Sequence, residues 1–188
     1  MAKPKSEEKR HAIMSAAARV IAAQGLGAPT ATIAQEAGVA NGSLFTYFET
    51  KAGLYNHLYL ELKAELASSS LKGLPVKGDL RRQTFHAWSR SMDWTAANPD
   101  KRRALAQLSV SDEFTPESRA AGLKTMAGVA ALLEQARANG PMRHVPMAFL
   151  VAMMNALGDA TADFMIQDPA NAKKHCKAGF DALWRMLA

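Results

Sequence analysis

Apolar residues recur at spacings of three and four along most of the chain, and Gly and Pro mark the breaks between runs. This periodicity predicts an almost entirely helical protein. The first run, to about Gln24, sets Ile13, Ala16, Ala17, Val20 and Ile21 on one stripe. Ser6 is its expected N-cap, Glu7 and Glu8 suit the positive helix end, and residues 1–5 form an arm. Gly25 and Gly27 end it. Pro29 fits the first turn of a second helix reaching about Ala37, which Gly38 breaks. A short third helix covers about Asn41 to Phe48. Thr50 is a good N-cap for a fourth, from Lys51 to about Ser70, carrying Leu54, Leu58, Leu60, Leu62 and Leu66.

The stretch Lys72 to Gly78 reads as a connection. Beyond it the pattern predicts helices over 79–97, 99–111, 116–139, 145–167 and 170–187. Asn98-Pro99, Thr115-Pro116, Gly140-Pro141 and Asp168-Pro169 separate them, with Pro99, Pro116 and Pro169 suited to first-turn positions. The expected class is all-α, with about nine helices.

Composition adds limits rather than identity. With 48% hydrophobic and 21% charged residues the chain is ordinary globular material, so disorder is not expected. The net charge of +6 suits a polyanionic partner, but its placement weakens that reading. Residues 1–70 hold seven Lys/Arg against six Glu, while the remainder holds 16 basic against 11 acidic residues. The single cysteine, Cys176, excludes an internal disulfide and makes a Cys-based metal site implausible. It is read as a small core residue, with a redox sensor as the alternative. No apolar run approaches the roughly 20 residues that span a bilayer, and the start lacks a signal peptide's apolar stretch. The expectation is a soluble cytoplasmic protein.

Residues 30–48 carry the strongest signal. A helix-turn-helix needs a small residue where its two helices cross, a turn residue tolerant of positive φ, and apolar residues that lock the pair. Ala34 supplies the first and Gly38 the second; Ile33, Ala37, Val39, Leu44 and Tyr47 or Phe48 supply the lock. An ordinary helical hairpin ended by Gly is the bland alternative. Asn41, Ser43, Thr46 and Tyr47 are short polar or hydrogen-bonding groups that can reach base edges, and Gly42 allows close approach to a backbone. The third helix has no Arg, so bidentate reading of guanine is not expected from it. Asn41 suits either adenine pairing or a simple N-cap. Lys51 suits a phosphate contact or a solvated position.

The stretch from Ile33 to Lys51, in particular Ala37-Gly38-Val39, Gly42, Leu44, Phe48 and Lys51, resembles the TetR family of bacterial transcriptional regulators. The similarity covers about 50 residues. It implies a DNA-binding head (1–50) joined through the fourth helix to a ligand-binding and dimerisation region (51–188). By family position Thr30, Asn41, Gly42, Ser43, Phe45, Tyr47 and Lys51 would face double-stranded DNA. Phe45 departs from the Tyr common there, and Pro29 stands where Thr or Ser is frequent. The last two long helices would form a four-helix homodimer interface.

A dimer also follows from geometry, since two recognition helices about 34–36 Å apart read one palindrome. Phe149, Leu150, Met153, Ala156, Leu157, Ala160 and Phe164 recur at helical spacing, with Phe180, Leu183, Trp184 and Leu187 beyond them. Small Ala156, Gly158 and Ala160 permit close helix approach. An intramolecular core is the competing reading.

Trp88, Met92 and Met126 are candidate linings for a small, largely apolar effector, although Met and Trp stripes are more often core. Polar candidates are His86, Asp93, Gln107 and Asn155. No Glu-x-x-His pair, nucleophile motif or phosphate loop supports an enzyme, and neither cofactor nor metal is implied. The chain therefore reads as a ligand-responsive repressor. An all-α carrier for an apolar molecule is the alternative.

Overall fold

The computed structural model describes residues 3–75, 77–111 and 114–188. Ten α-helices follow one another: α1 Lys3–Gln24, α2 Thr30–Glu36, α3 Asn41–Tyr47, α4 Lys51–Leu71, α5 Leu80–Ala97, α6 Pro99–Ser109, α7 Pro116–Thr125, α8 Ala127–Arg137, α9 Met147–Gln167 and α10 Ala172–Leu187. A 3₁₀ turn, Pro169–Asn171, precedes α10. No strand occurs among the described residues, as the periodicity predicts.

The differences lie at element ends. α1 begins at Lys3, so Ser6 lies inside the helix rather than capping it, and residues 3–5 of the expected arm are helical; residues 1 and 2 lie outside the described residues. Pro29 precedes α2 instead of starting it; its extended backbone, φ −65° and ψ 143°, is what Pro favours. The helix expected over 116–139 is two helices, α7 and α8, parted at Met126, whose ψ of 5° leaves the helical region. That makes ten helices, not nine.

The chain forms two compact units. The first comprises residues up to Ala64 together with Asn98–Lys124; the second comprises Glu65–Ala97 and Thr125–Ala188. The continuous helix α4 begins in the first and ends in the second. Within the first unit α1 packs on both α2 and α6. Ile13, Ala17 and Ile21 of its stripe are fully buried, with Ile33, Leu44, Leu54 and Leu108 from the other helices. Gln107 fastens α6 to the end of α1, its amide Nε2–H donating to the Ile21 carbonyl at 3.1 Å.

In the second unit α5, α8, α9 and α10 close around Trp88, Met92, Leu133, Leu150, Met165, Phe180 and Leu183. Glycines bring three of these helices close. A Cβ on Gly158 would lie 3.2 Å from Met92 Cε, and one on Gly179 would run into the Thr161 hydroxyl and lie 3.1 Å from Trp88 Cζ2. Trp88 Nε1–H donates to the Cys176 carbonyl at 3.0 Å, which satisfies its one polar group in the core. Gly158, expected at a dimer contact, is thus used inside the unit.

One helix departs from the expectation that no segment is apolar enough for a bilayer. α9 is long and apolar enough to cross a membrane by length and composition. Leu150, Gly158, Thr161, Ala162 and Met165 bury one face of it in the second unit.

Candidate nucleic-acid interface

The turn between α2 and α3 is built by backbone geometry that the sequence specifies. Gly38 adopts φ +67°, which side-chain-bearing residues rarely accept. Val39 N–H then donates to the Ala34 carbonyl at 2.9 Å and Gly38 N–H to the Gln35 carbonyl at 3.1 Å. This paired closure satisfies carbonyls that the end of α2 would leave bare. It also turns the chain so that α3 starts three residues later and packs on α2.

Helix α3 has one buried edge and one open edge. Leu44 is fully buried, and Phe48 just past the helix is 2% exposed. Asn41, Gly42, Phe45 and Thr46 are exposed, while Ser43 and Tyr47 are half-buried. Thr30, at the start of α2, is half-buried too. The cap of α3 is the backbone of Ala40, without a side-chain cap bond, which leaves the Asn41 side chain with no hydrogen bond among the described residues. The N-cap reading of Asn41 therefore fails. A Cβ placed on Gly42 would meet nothing within 4 Å, so packing inside the chain does not require glycine there.

The next helix is started by Thr50, as its sequence suggests. Thr50 Oγ1 accepts the Gly53 N–H at 2.9 Å. Lys51 is half-buried, with its ammonium over the Tyr55 ring at 5.5 Å from the centroid. Tyr55 is fully buried, and its hydroxyl donates to the Leu26 carbonyl at 3.0 Å, tying α4 to the turn after α1. Arg10 stacks 5.5 Å over Phe48 and pairs with Glu61 at 3.8 Å; Arg19 pairs with Glu36 at 2.8 Å. The eight candidate DNA-facing residues are thus held on neighbouring elements of one unit. Tyr55 and Arg10, which fix that arrangement, escaped the sequence reading because their partners are remote along the chain.

The candidate effector residues are divided between the two units. Trp88 and Met92 fill the second unit's core, as 5% and 6% exposures indicate. Gln107 lies in the first unit, where its amide is engaged by the Ile21 carbonyl of α1. Met126 sits half-buried at the α7–α8 break, and Asn155 is exposed on α9. His86 bonds the Lys72 carbonyl at 2.9 Å, holding the end of α4 to α5, and Asp93 is exposed.

The candidate dimer residues split in two. Phe149, Ala156, Ala160 and Phe164 are exposed on α9, with Met153 and Leu157 half-buried beside them. Phe180 belongs instead to the core, at 2% exposure, with Trp184 stacked on it at 6.0 Å. An open apolar groove of about 250 Å³ runs between α9 and α10, lined by Leu157, Ala160, Thr161, Phe164, His175 and Ala178 among others. His175 lies 3.0 Å from Asp168, whose carboxyl is held below its ordinary range first by that hydrogen bond. Burial pushes the Cys176 thiol up to about 11, and the charge of Asp93 adds to this.

The sequence pattern of the bacterial regulatory proteins of the tetR family matches residues 13–58, the segment that carries α2, α3 and most of α1. Whole-chain likenesses extend further. A protein of a Shewanella species assigned to the TetR family of transcription regulators is 28% identical, with a TM-score of 0.80 over 94% of this chain and 96% of that one. A TetR-family transcription regulator of Marinobacter aquaeolei is 21% identical, with a TM-score of 0.84 over 98% and 97%. The fatty acid degradation regulator FadR of Bacillus halodurans shares the fold at 19% identity and a TM-score of 0.66, over 93% and 96%.

Proposed function

We infer that this chain, a TetR-family protein by its head and by its fold, is a DNA-binding repressor released from a palindromic operator by a small, largely apolar effector. The observation that carries the DNA reading is the open edge of α3. Asn41, Gly42, Phe45 and Thr46 face solvent while Leu44 and Phe48 anchor the helix. Asn41 has no competing partner among the described residues, which suits bidentate reading of adenine. Open space over Gly42 suits a phosphate backbone pressed against α3. Ser43, Thr46 and Tyr47 supply further hydroxyls, Thr30 adds one from α2, and Lys51 adds charge. Phe45, lacking a hydroxyl, offers only apolar contact.

In this reading residues 1–50 read DNA and residues 51–188 bind the effector and a second copy, in the cytoplasm, with no catalysis. The exposed face of α9, with Phe149 and Phe164 at its ends, suits a two-fold contact. Effector binding acts through α4, whose backbone runs from the first unit into the second, and it works only through unequal affinity for two states.

Selection of bound fragments from the source genome tests the DNA reading. Lys51→Ala is expected to weaken every fragment alike, whereas Asn41→Ala and Ser43→Ala change which fragments are preferred. Equal loss across sequences for all three variants contradicts base reading by α3.

A further inference from the structure

Within the first unit, Tyr59 and Lys63 on the face of α4 beside α7 carry donors that have no acceptor among the described residues. Tyr59 is 9% exposed and packs on Phe114 with ring centroids 4.8 Å apart. Bare Gly122 of α7 lets the backbone approach that ring: a Cβ there would lie 2.6 Å from Tyr59 Cε1 and 2.8 Å from its hydroxyl. One turn along α4, Lys63 holds its ammonium 5.6 Å from the Tyr59 centroid. Burial pushes the Tyr59 phenol above its ordinary pKa, and Arg119, one turn before Gly122 on α7, lies close enough for its positive charge to oppose that rise in part. One of its nitrogens donates to the Ser111 carbonyl at 2.6 Å.

Among the described residues, neither the Lys63 ammonium nor the Tyr59 hydroxyl has a hydrogen-bond partner. Nearby carboxylates on the same helices are committed elsewhere. Glu61 takes Arg10 and His11, and Glu117 takes its own backbone and Thr115. Lys63 is half-buried, and burial pulls its ammonium below the ordinary lysine range, so it carries a desolvation cost without an ion pair. A cation so placed is stabilised by an anion that completes the group.

We propose that Tyr59, Lys63 and Arg119 form a receptor for the carboxylate of the effector, with the Tyr59 and Phe114 rings against its apolar part. This rests on the effector-responsive reading above and narrows it to amphipathic monocarboxylic acids. The donor set contains cations and a hydroxyl, and the ring pair favours a carboxylate with an apolar body over inorganic anions.

Calorimetric titration of the full chain, without DNA, tests this with acetate, benzoate and octanoate, 1-octanol as the neutral match, and inorganic phosphate. Benzoate or octanoate is expected to bind at least tenfold more tightly than 1-octanol, acetate and phosphate. Lys63→Met is expected to lower that affinity tenfold or more, Lys63→Arg to restore most of it, and Tyr59→Phe to lower it several-fold. Tyr59→Phe, which keeps the ring on Gly122, carries the test if Lys63→Met does not fold. No binding by any carboxylate, equal binding of 1-octanol, a preference for phosphate, or unchanged affinity in the variants overturns the proposal. None of these results bears on DNA retention, so failure here is separable from failure of the regulator reading.

Discussion

Single residues divide into those that shape the chain and those left open for a partner, and Cys176 and Asn41 stand at the two extremes. The Cys176 thiol is buried in the second unit, and burial raises its pKa from an ordinary 9.0 to about 11. The thiolate that reacts with electrophiles and oxidants is therefore scarce at neutral pH. Alkylation of the folded protein by a maleimide is expected to be slow at pH 7–8 and to match free thiol only after denaturation; fast labelling of native protein contradicts this. Because the folded thiol holds its proton more tightly than the unfolded one, its contribution to stability is present below pH 9 and is lost as pH rises towards 11. Asn41 is the opposite case, since no described contact consumes its amide.

At the scale of elements, close helix packing depends on positions without side chains. Gly179 of α10 leaves room for Thr161 and Trp88. Gly179→Ala is expected to destabilise the chain by about 1–3 kcal/mol, as overpacked cores do, measured by denaturant unfolding; an unchanged midpoint contradicts the packing account. Much of the element pattern was legible in sequence because it is local. The α1 stripe, the Gly38 turn and the Thr50 cap each rest on residues within a few positions of one another. The break at Met126 was not legible, because no Gly or Pro stands at it and Gly122 and Gly128 flanking it serve separate units. The tie from Gln107 to α1 was not legible for a related reason: its partner, Ile21, lies 86 residues away. Phe180 shows the limit of periodicity, which marks an apolar face without saying whether the same chain or another covers it.

For the whole molecule, the α9 face is where that ambiguity matters most. Phe149 is 56% and Phe164 57% exposed, beside an open apolar groove. Exposed apolar surface of this kind marks an interaction site. On the proposed two-fold contact, Phe164→Glu is expected to shift the chain from dimer to monomer in analytical ultracentrifugation and to weaken operator binding at least tenfold, because a lone head would grip half of a palindromic site. A dimer that persists unchanged would move the contact elsewhere.

The modest charge of the region carrying the head, seven basic against six acidic residues in 1–70, means that few ionic contacts are available to DNA. Lys51 is the one basic residue in the candidate DNA-facing set. The most direct test is operator affinity as a function of salt, by fluorescence anisotropy on a genome-selected fragment. Binding is expected to fall with salt, and Lys51→Ala in both heads of a dimer to flatten the slope of log affinity against log salt by about 2. Absence of binding at low salt, or a slope unchanged by Lys51→Ala, would contradict the account.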